Sequence, residues 1–208
     1  MISLRYITQF LKRIRPLLIL LMLSSCFGEP EFPLEPEIEF AWIENYNSEE
    51  KKDSVYIAFT FKDGDGDLGL DPEDNEGPYA PKTIDPVNGD TIDNKYHNNY
   101  FVEVLRKEED GTYQPVTYEG ETNFNGRFPM LNTSGRDRPL EGELRYGIVL
   151  WFDGVFESPL YKGDSVKFNI HICDRALNES NEITTEGIEI GSPKRKEDNE
   201  EPPQNQPE

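Results

Sequence analysis

Between Ile38 and Ile190 several short runs place apolar side chains at every second residue, and after residue 26 no stretch sustains the 3.6-residue period of a helix. Ile38, Phe40 and Trp42 alternate with Glu37, Glu39 and Ala41; Val55, Ile57, Phe59 and Phe61 alternate with Tyr56, Ala58 and Thr60. Tyr100–Arg106 is a third such run, and Glu109-Asp110-Gly111 reads as the turn that returns it through Thr112–Tyr118. Leu144, Tyr146, Ile148, Leu150 and Phe152 share one face of a long strand, Val166, Phe168, Ile170 and Ile172 one face of the next, and Ile183–Ile190 closes the set. Side chains along a strand point alternately to opposite faces, so each run offers one apolar face for burial. Short alternating strands divided by Gly, Asn, Asp and Pro predict an all-β protein, an antiparallel sandwich of about seven strands.

A chain of 208 residues has room for one such domain with tails, or at most two small domains. Its formal charge is -20, with 41 acidic residues against 21 basic ones. Such a surface repels phosphate backbones, which argues against a nucleic-acid partner. It suits an exported protein kept soluble by charge, or one that gathers divalent cations. The two cysteines, Cys26 and Cys173, are too few for a metal–thiolate cluster, and Cys173 reads as a small buried strand residue.

The two ends differ from the middle. Residues 1–25 begin with Arg5, Lys12, Arg13 and Arg15, then run through Pro16–Leu23 to Leu23-Ser24-Ser25-Cys26. The apolar run is about half the ~20 residues that span a bilayer, which fits an export signal rather than a membrane helix. Leu23-Ser24-Ser25-Cys26 resembles the lipobox of bacterial lipoproteins. That resemblance implies cleavage before Cys26, covalent lipid on Cys26 (acyl chains such as palmitate), and, with Phe27 rather than Asp next, an outer-membrane location. Residues 26–36 are a Pro-rich tether with Pro30, Pro33 and Pro36 at every third position. The sandwich occupies 37–190. Residues 191–208 carry no apolar side chain except proline and predict a disordered acidic tail.

Chemistry concentrates where the second run stops. Residues 61–74 read Phe-Lys-Asp-Gly-Asp-Gly-Asp-Leu-Gly-Leu-Asp-Pro-Glu-Asp. Asp63, Asp65, Asp67, Asp71 and Asp74 stand at positions 1, 3, 5, 9 and 12 of a calcium-loop register. Leu68 replaces the usual Gly at position 6, Asp74 the usual Glu at 12, and no helices flank the loop, so this is not an EF-hand. Carboxylates that converge still require a cation or open water, and hard oxygen ligands on a flexible turn suit Ca²⁺. A solvated Asp-Gly turn without metal is the plain alternative.

The stretch Val166–Thr185, with its turn Asp174-Arg175-Ala176-Leu177-Asn178-Glu179-Ser180-Asn181, is similar to the last two strands of bacterial Ig-like and fibronectin-III-like domains. Leu177 stands where that turn usually has Gly. The Phe59–Gly69 stretch resembles loops in cell-envelope lipoproteins of this architecture. The resemblance implies an Ig-like sandwich. With Val55–Phe61 as strand B, Tyr100–Lys107 as C, Val166–Cys173 as F and Ile183–Ile190 as G, the B–C and F–G loops share one end. Asp174 and Asn178 then approach Asp63–Asp67, and the chain enters the domain at that same end.

Residues 63–99 exceed an ordinary β connection. They contain Tyr79, Tyr96 and His97, with Tyr100 just beyond, beside Asn and Asp. Aromatic faces beside amides and carboxylates suit a glycan-binding surface, and equally a long self-packed loop. The two histidines, His97 and His171, form no catalytic or zinc spacing, and no two carboxylates stand out as a hydrolase pair. The expectation is a lipid-anchored, non-enzymatic binding or scaffolding module at the envelope, partnered by a protein or glycan. The alternatives are a carbohydrate-binding accessory lipoprotein and a hydrolase using paired carboxylates.

Overall fold

The computed structural model describes residues 30–48, 51–118 and 123–192. The expected signal, Cys26, the first part of the tether and the tail from residue 193 lie outside the described residues. The chain divides into two units, Met1–Pro30 and Glu31–Glu208, and the second holds the strands.

Among the described residues ten strands follow in order: β1 (Glu37–Ser48), β2 (Lys52–Asp63), β3 (Lys82–Ile84), β4 (Thr91–Asp93), β5 (Tyr100–Lys107), β6 (Tyr113–Pro115), β7 (Leu140–Trp151), β8 (Ser165–Ile172), β9 (Ile183–Thr184) and β10 (Ile188–Glu189). Among the described residues helical structure is confined to 3₁₀ turns at Gly77–Tyr79, Lys95–His97 and Val155–Glu157. One sheet has the order β1-β2-β7; the other runs β10-β8-β5-β6 with β9 also on β8; β3 and β4 form a separate hairpin. Every pairing is antiparallel. The protein is an all-β sandwich.

The alternation seen in the sequence is the reason. Val55, Ile57, Phe59 and Phe61 of β2 with Ile148 and Leu150 of β7 face Tyr100, Val102 and Val104 of β5 and Val166, Phe168, Ile170 and Ile172 of β8. Each large side chain so removed from water contributes about 1.5–3 kcal/mol. The turn at Glu109-Asp110-Gly111 forms as expected. Gly111 takes φ 86°, and Asp110 Oδ1 accepts from the Thr112 N–H and hydroxyl.

Four details depart from the simple pattern. A bulge between Phe40 and Trp42 shifts the β1 register, so Ile43, opposite Ile57, turns toward the core while Trp42 faces outward under Arg145. The expected strand Ile183–Ile190 breaks into β9 and β10 because Thr185 bonds Phe168 twice, through its N–H and its Oγ1. The return strand after Gly111 is shorter than expected, covering Tyr113–Pro115. Tyr100 is not on a binding surface: it is 1 % exposed, stacked between Phe59 and Tyr146 in the core.

The start of β1, the end of β2 and the start of β7 lie together, since Glu37 pairs with Lys62 and Asp63 with Leu140. In the other sheet the start of β5 pairs with the end of β8, Tyr100 with Ile172. The connections leaving these strand ends build the tip described next.

Candidate metal centre

Asp63 is the last residue of β2 and keeps the inward parity of Phe61, so a carboxylate occupies what the strand offers as a core position. The chain then turns sharply. Gly64 packs so close to the Phe32 and Pro33 carbonyls that a Cβ would lie 2.5 Å from the first. Gly66 takes φ +71° with the Arg138 carbonyl 2.2 Å from where its Cβ would be, and the Arg138 N–H donates to the Asp65 carbonyl. No L side chain fits there without moving backbone.

Leu68, which breaks the EF-hand register, is what pins the loop. It is 1 % exposed, its carbonyl accepts from Leu131 N–H, and Leu70 N–H donates to the Phe128 carbonyl. The loop is thus anchored by a buried leucine and a strand-like pairing instead of by flanking helices, and Asp67 is aimed back toward Asp63.

The third carboxylate comes from the other sheet. Just past the end of β8, Cys173 N–H donates to the Asn99 carbonyl, and Asp174 follows, buried. Asn178 holds both Asp174 oxygens, through its N–H at 2.7 Å and its Nδ2 at 2.8 Å. Leu177 adopts φ 68°, the left-handed conformation that a Gly would take in this turn. Asn178 therefore orients Asp174, the role of a supporting residue.

Asp63, Asp67 and Asp174 each place a carboxylate oxygen within 4.8 Å of the other two. Asp63 is fully buried, and both its oxygens, together with Oδ1 of Asp65 and Oδ1 of Asp67, make no well-formed hydrogen bond; the Asp67 N–H offsets the charge on Asp63 only in part. A buried charge in that condition is costly unless something positive faces it. The consequences appear in the proton affinities. Burial, then the charges of Asp65, Asp67 and Asp174, push Asp63 up to about 7. Burial and the charges of Asp174 and Asp65 push Asp67 up to about 6, with the Ala176 N–H and, less, Arg175 offsetting it. Asp174 is raised by burial and pulled back by its bonds to Asn178. An all-oxygen set of this kind suits Mg²⁺, Ca²⁺ or Mn²⁺ and no soft metal.

Asp71 and Asp74 are not in this cluster. Asp74 Oδ2 accepts from Asp71 N–H and Asp71 Oδ1 from Glu73 N–H, closing a separate turn whose carbonyls Arg127 clamps at Asp71 and Asp74. The calcium-loop numbering misplaced them because burial of Leu68 carries the chain away from the centre. Tyr79 and Tyr96 spend their hydroxyls internally, on the Arg175 carbonyl (2.5 Å) and Glu179 Oε1 (3.0 Å). His97 Nδ1 lies 3.0 Å from the Tyr79 carbonyl; His171 stacks on Phe101 with Glu179 3.7 Å from its Nε2. Cys173 is buried, and burial pushes its thiol up to about 12.

Four residues matter here through partners that the sequence did not indicate, although Glu179 and Asn181 belong to the turn already singled out. Lys95 and Glu179 meet at 2.6 Å across 84 positions, Arg127 clamps the Asp71–Asn75 turn, and Asn181 bonds both the N–H and the carbonyl of Ile38. Partners that distant in sequence follow only from tertiary placement. Comparison with protein families, with curated proteins and with solved structures returned no match.

Proposed function

We propose that the protein is a lipid-anchored, non-enzymatic binding module of the cell envelope, whose tip is organised by a bound Ca²⁺. The observation that carries the cation is Asp63: a fully buried carboxylate whose oxygens make no well-formed hydrogen bond, facing two further carboxylates. Asp63, Asp67 and Asp174 ligate, whereas Asp65, expected from the loop register, stands outside this group and acts on it through its charge. Opposite ligands around Ca²⁺ sit roughly 4.6–5.2 Å apart, against roughly 4.0–4.2 Å around Mg²⁺. Three oxygens that all lie within 4.8 Å of one another fit inside the wider of these spans.

The strand orders β1-β2-β7 and β10-β8-β5-β6 support an Ig-like reading, in which they correspond to A-B-E and G-F-C with an added edge strand. In that architecture the loops at one end are the usual binding region. Here residues 75–99 project from that end. Cys26 supplies the anchor, with an outer-membrane location, as the Leu23–Cys26 motif implies.

Thermal melting tests the cation. At 100 times its dissociation constant Ca²⁺ should add about 2.7 kcal/mol of stability, removed by chelator. Asp63→Asn should abolish the difference. Identical melting with ion and chelator would dismiss the reading.

A further inference from the structure

The insert between β2 and β5 is fastened at both ends to the metal centre. It departs from the loop that carries Asp67. It then docks on the turn that carries Asp174: Tyr79 Oη donates to the Arg175 carbonyl, and Glu179 Oε1 accepts from Lys95 Nζ at 2.6 Å and Tyr96 Oη at 3.0 Å. Within the insert, Asn94 Nδ2 reaches the Pro78 and Ala80 carbonyls, Asn94 N–H donates to the Pro81 carbonyl, and His97 contacts the Tyr79 carbonyl. The two 3₁₀ turns and the β3–β4 hairpin thus form one piece. At its far end that piece exposes Ile84 (61 %), Val87 (92 %) and Ile92 (41 %).

We infer that the cation is the latch for this insert: its binding between Asp63, Asp67 and Asp174 joins the loop the insert leaves to the turn on which it docks, and so governs presentation of the β3–β4 hairpin. The inference rests on the centre being a cation site. Above about pH 7, where Asp63 and Asp67 no longer hold their protons, three close carboxylates in a low-dielectric pocket push the two segments apart unless a positive ion sits between them. A separation of an Å or two takes the Tyr79–Arg175 and Glu179 bonds beyond hydrogen-bonding range. An undocked two-stranded hairpin is marginal in water, so the insert would fray. Docking and ion binding must then strengthen each other by the same factor.

The test uses the full chain in detergent, stripped with chelator and titrated with CaCl₂, reading calorimetric affinity and hydrogen exchange of residues 77–97 together. Saturating Ca²⁺ should slow exchange in the insert by about 5-fold or more, and the double variant Tyr79→Phe/Glu179→Ala, which leaves every proposed ligand in place, should bind Ca²⁺ about 5-fold or more weakly. Ca²⁺ uptake with unchanged exchange in the insert, or with unchanged affinity in the double variant, overturns the latch while leaving the centre standing. If the wild-type chain takes up no Ca²⁺ at all, the centre itself is wrong and the latch falls with it.

Discussion

Asp63 is subject to two opposed demands. The strand pattern places its side chain inward, beyond Phe61, while its charge asks for water or a partner. Without a cation the folded chain meets this by holding a proton. The carboxyl rises from its ordinary 3.8 to about 7 through burial and its acidic neighbours. Between those two values the native state keeps a proton that the unfolded chain has released, so stability falls as pH rises through the window and levels off above it. Denaturant unfolding in chelator should show this fall from about pH 4 to pH 7, and Asp63→Asn should make it shallower, leaving the part that Asp67 contributes below about pH 6. With Ca²⁺ present the ion takes the ionised form, so the stabilisation it confers should shrink as pH drops below about 7. Gly69 is the second residue under strict constraint: φ is +95° and a Cβ would stand 2.1 Å from the Pro129 carbonyl. Gly69→Ala should cost about 2–3 kcal/mol in a denaturant titration, since strain of 1–3 kcal/mol at such a φ adds to the clash.

At the scale of elements, the tip depends on how β1 is tied to the opposite sheet. Asn181, in the turn after β8, accepts from Ile38 N–H at 2.8 Å and donates to the Ile38 carbonyl at 2.9 Å. Asn181→Ala leaves both groups of a buried backbone unit unpaired and should destabilise by about 1–3 kcal/mol, with faster amide exchange along β1 as the second readout. The strands themselves were legible because alternation is a local property: Val55–Phe61 and Val166–Ile172 show it without interruption. Antiparallel topology carried the reading one step further, bringing Asp174 to Asp63 and Asp67 from 111 and 107 residues away. The bulge before Trp42 was not legible, because the letters around Ala41 alternate correctly on either side of it. Asp71 and Asp74 show the limit of spacing rules. Five aspartates fit a loop register on paper, yet one buried leucine decides which of them converge. Tyr100 looked like a surface aromatic only because it begins a strand; its parity with Val102 and Val104 places it inside.

The whole molecule carries a formal charge of -20, and much of it is solvated surface that no single contact explains. Exposed pairs such as Lys82–Asp93 contribute little, since ion pairs in water are worth about 0–1 kcal/mol. The tip differs because its carboxylates are withdrawn from water, where screening by salt is weak. That contrast separates a specific ion from a diffuse counter-ion atmosphere: monovalent salt relaxes general repulsion, whereas one divalent ion at the centre should act at far lower concentration. The most direct measurement is equilibrium Ca²⁺ uptake by the chelator-stripped chain in about 150 mM NaCl, near physiological ionic strength. Saturable binding of a single ion per chain is expected, lost in Asp63→Asn and kept in Asp71→Asn, because Asp71 only closes its own turn. No saturable uptake, or uptake indifferent to Asp63 and sensitive to Asp71, would contradict the proposed centre.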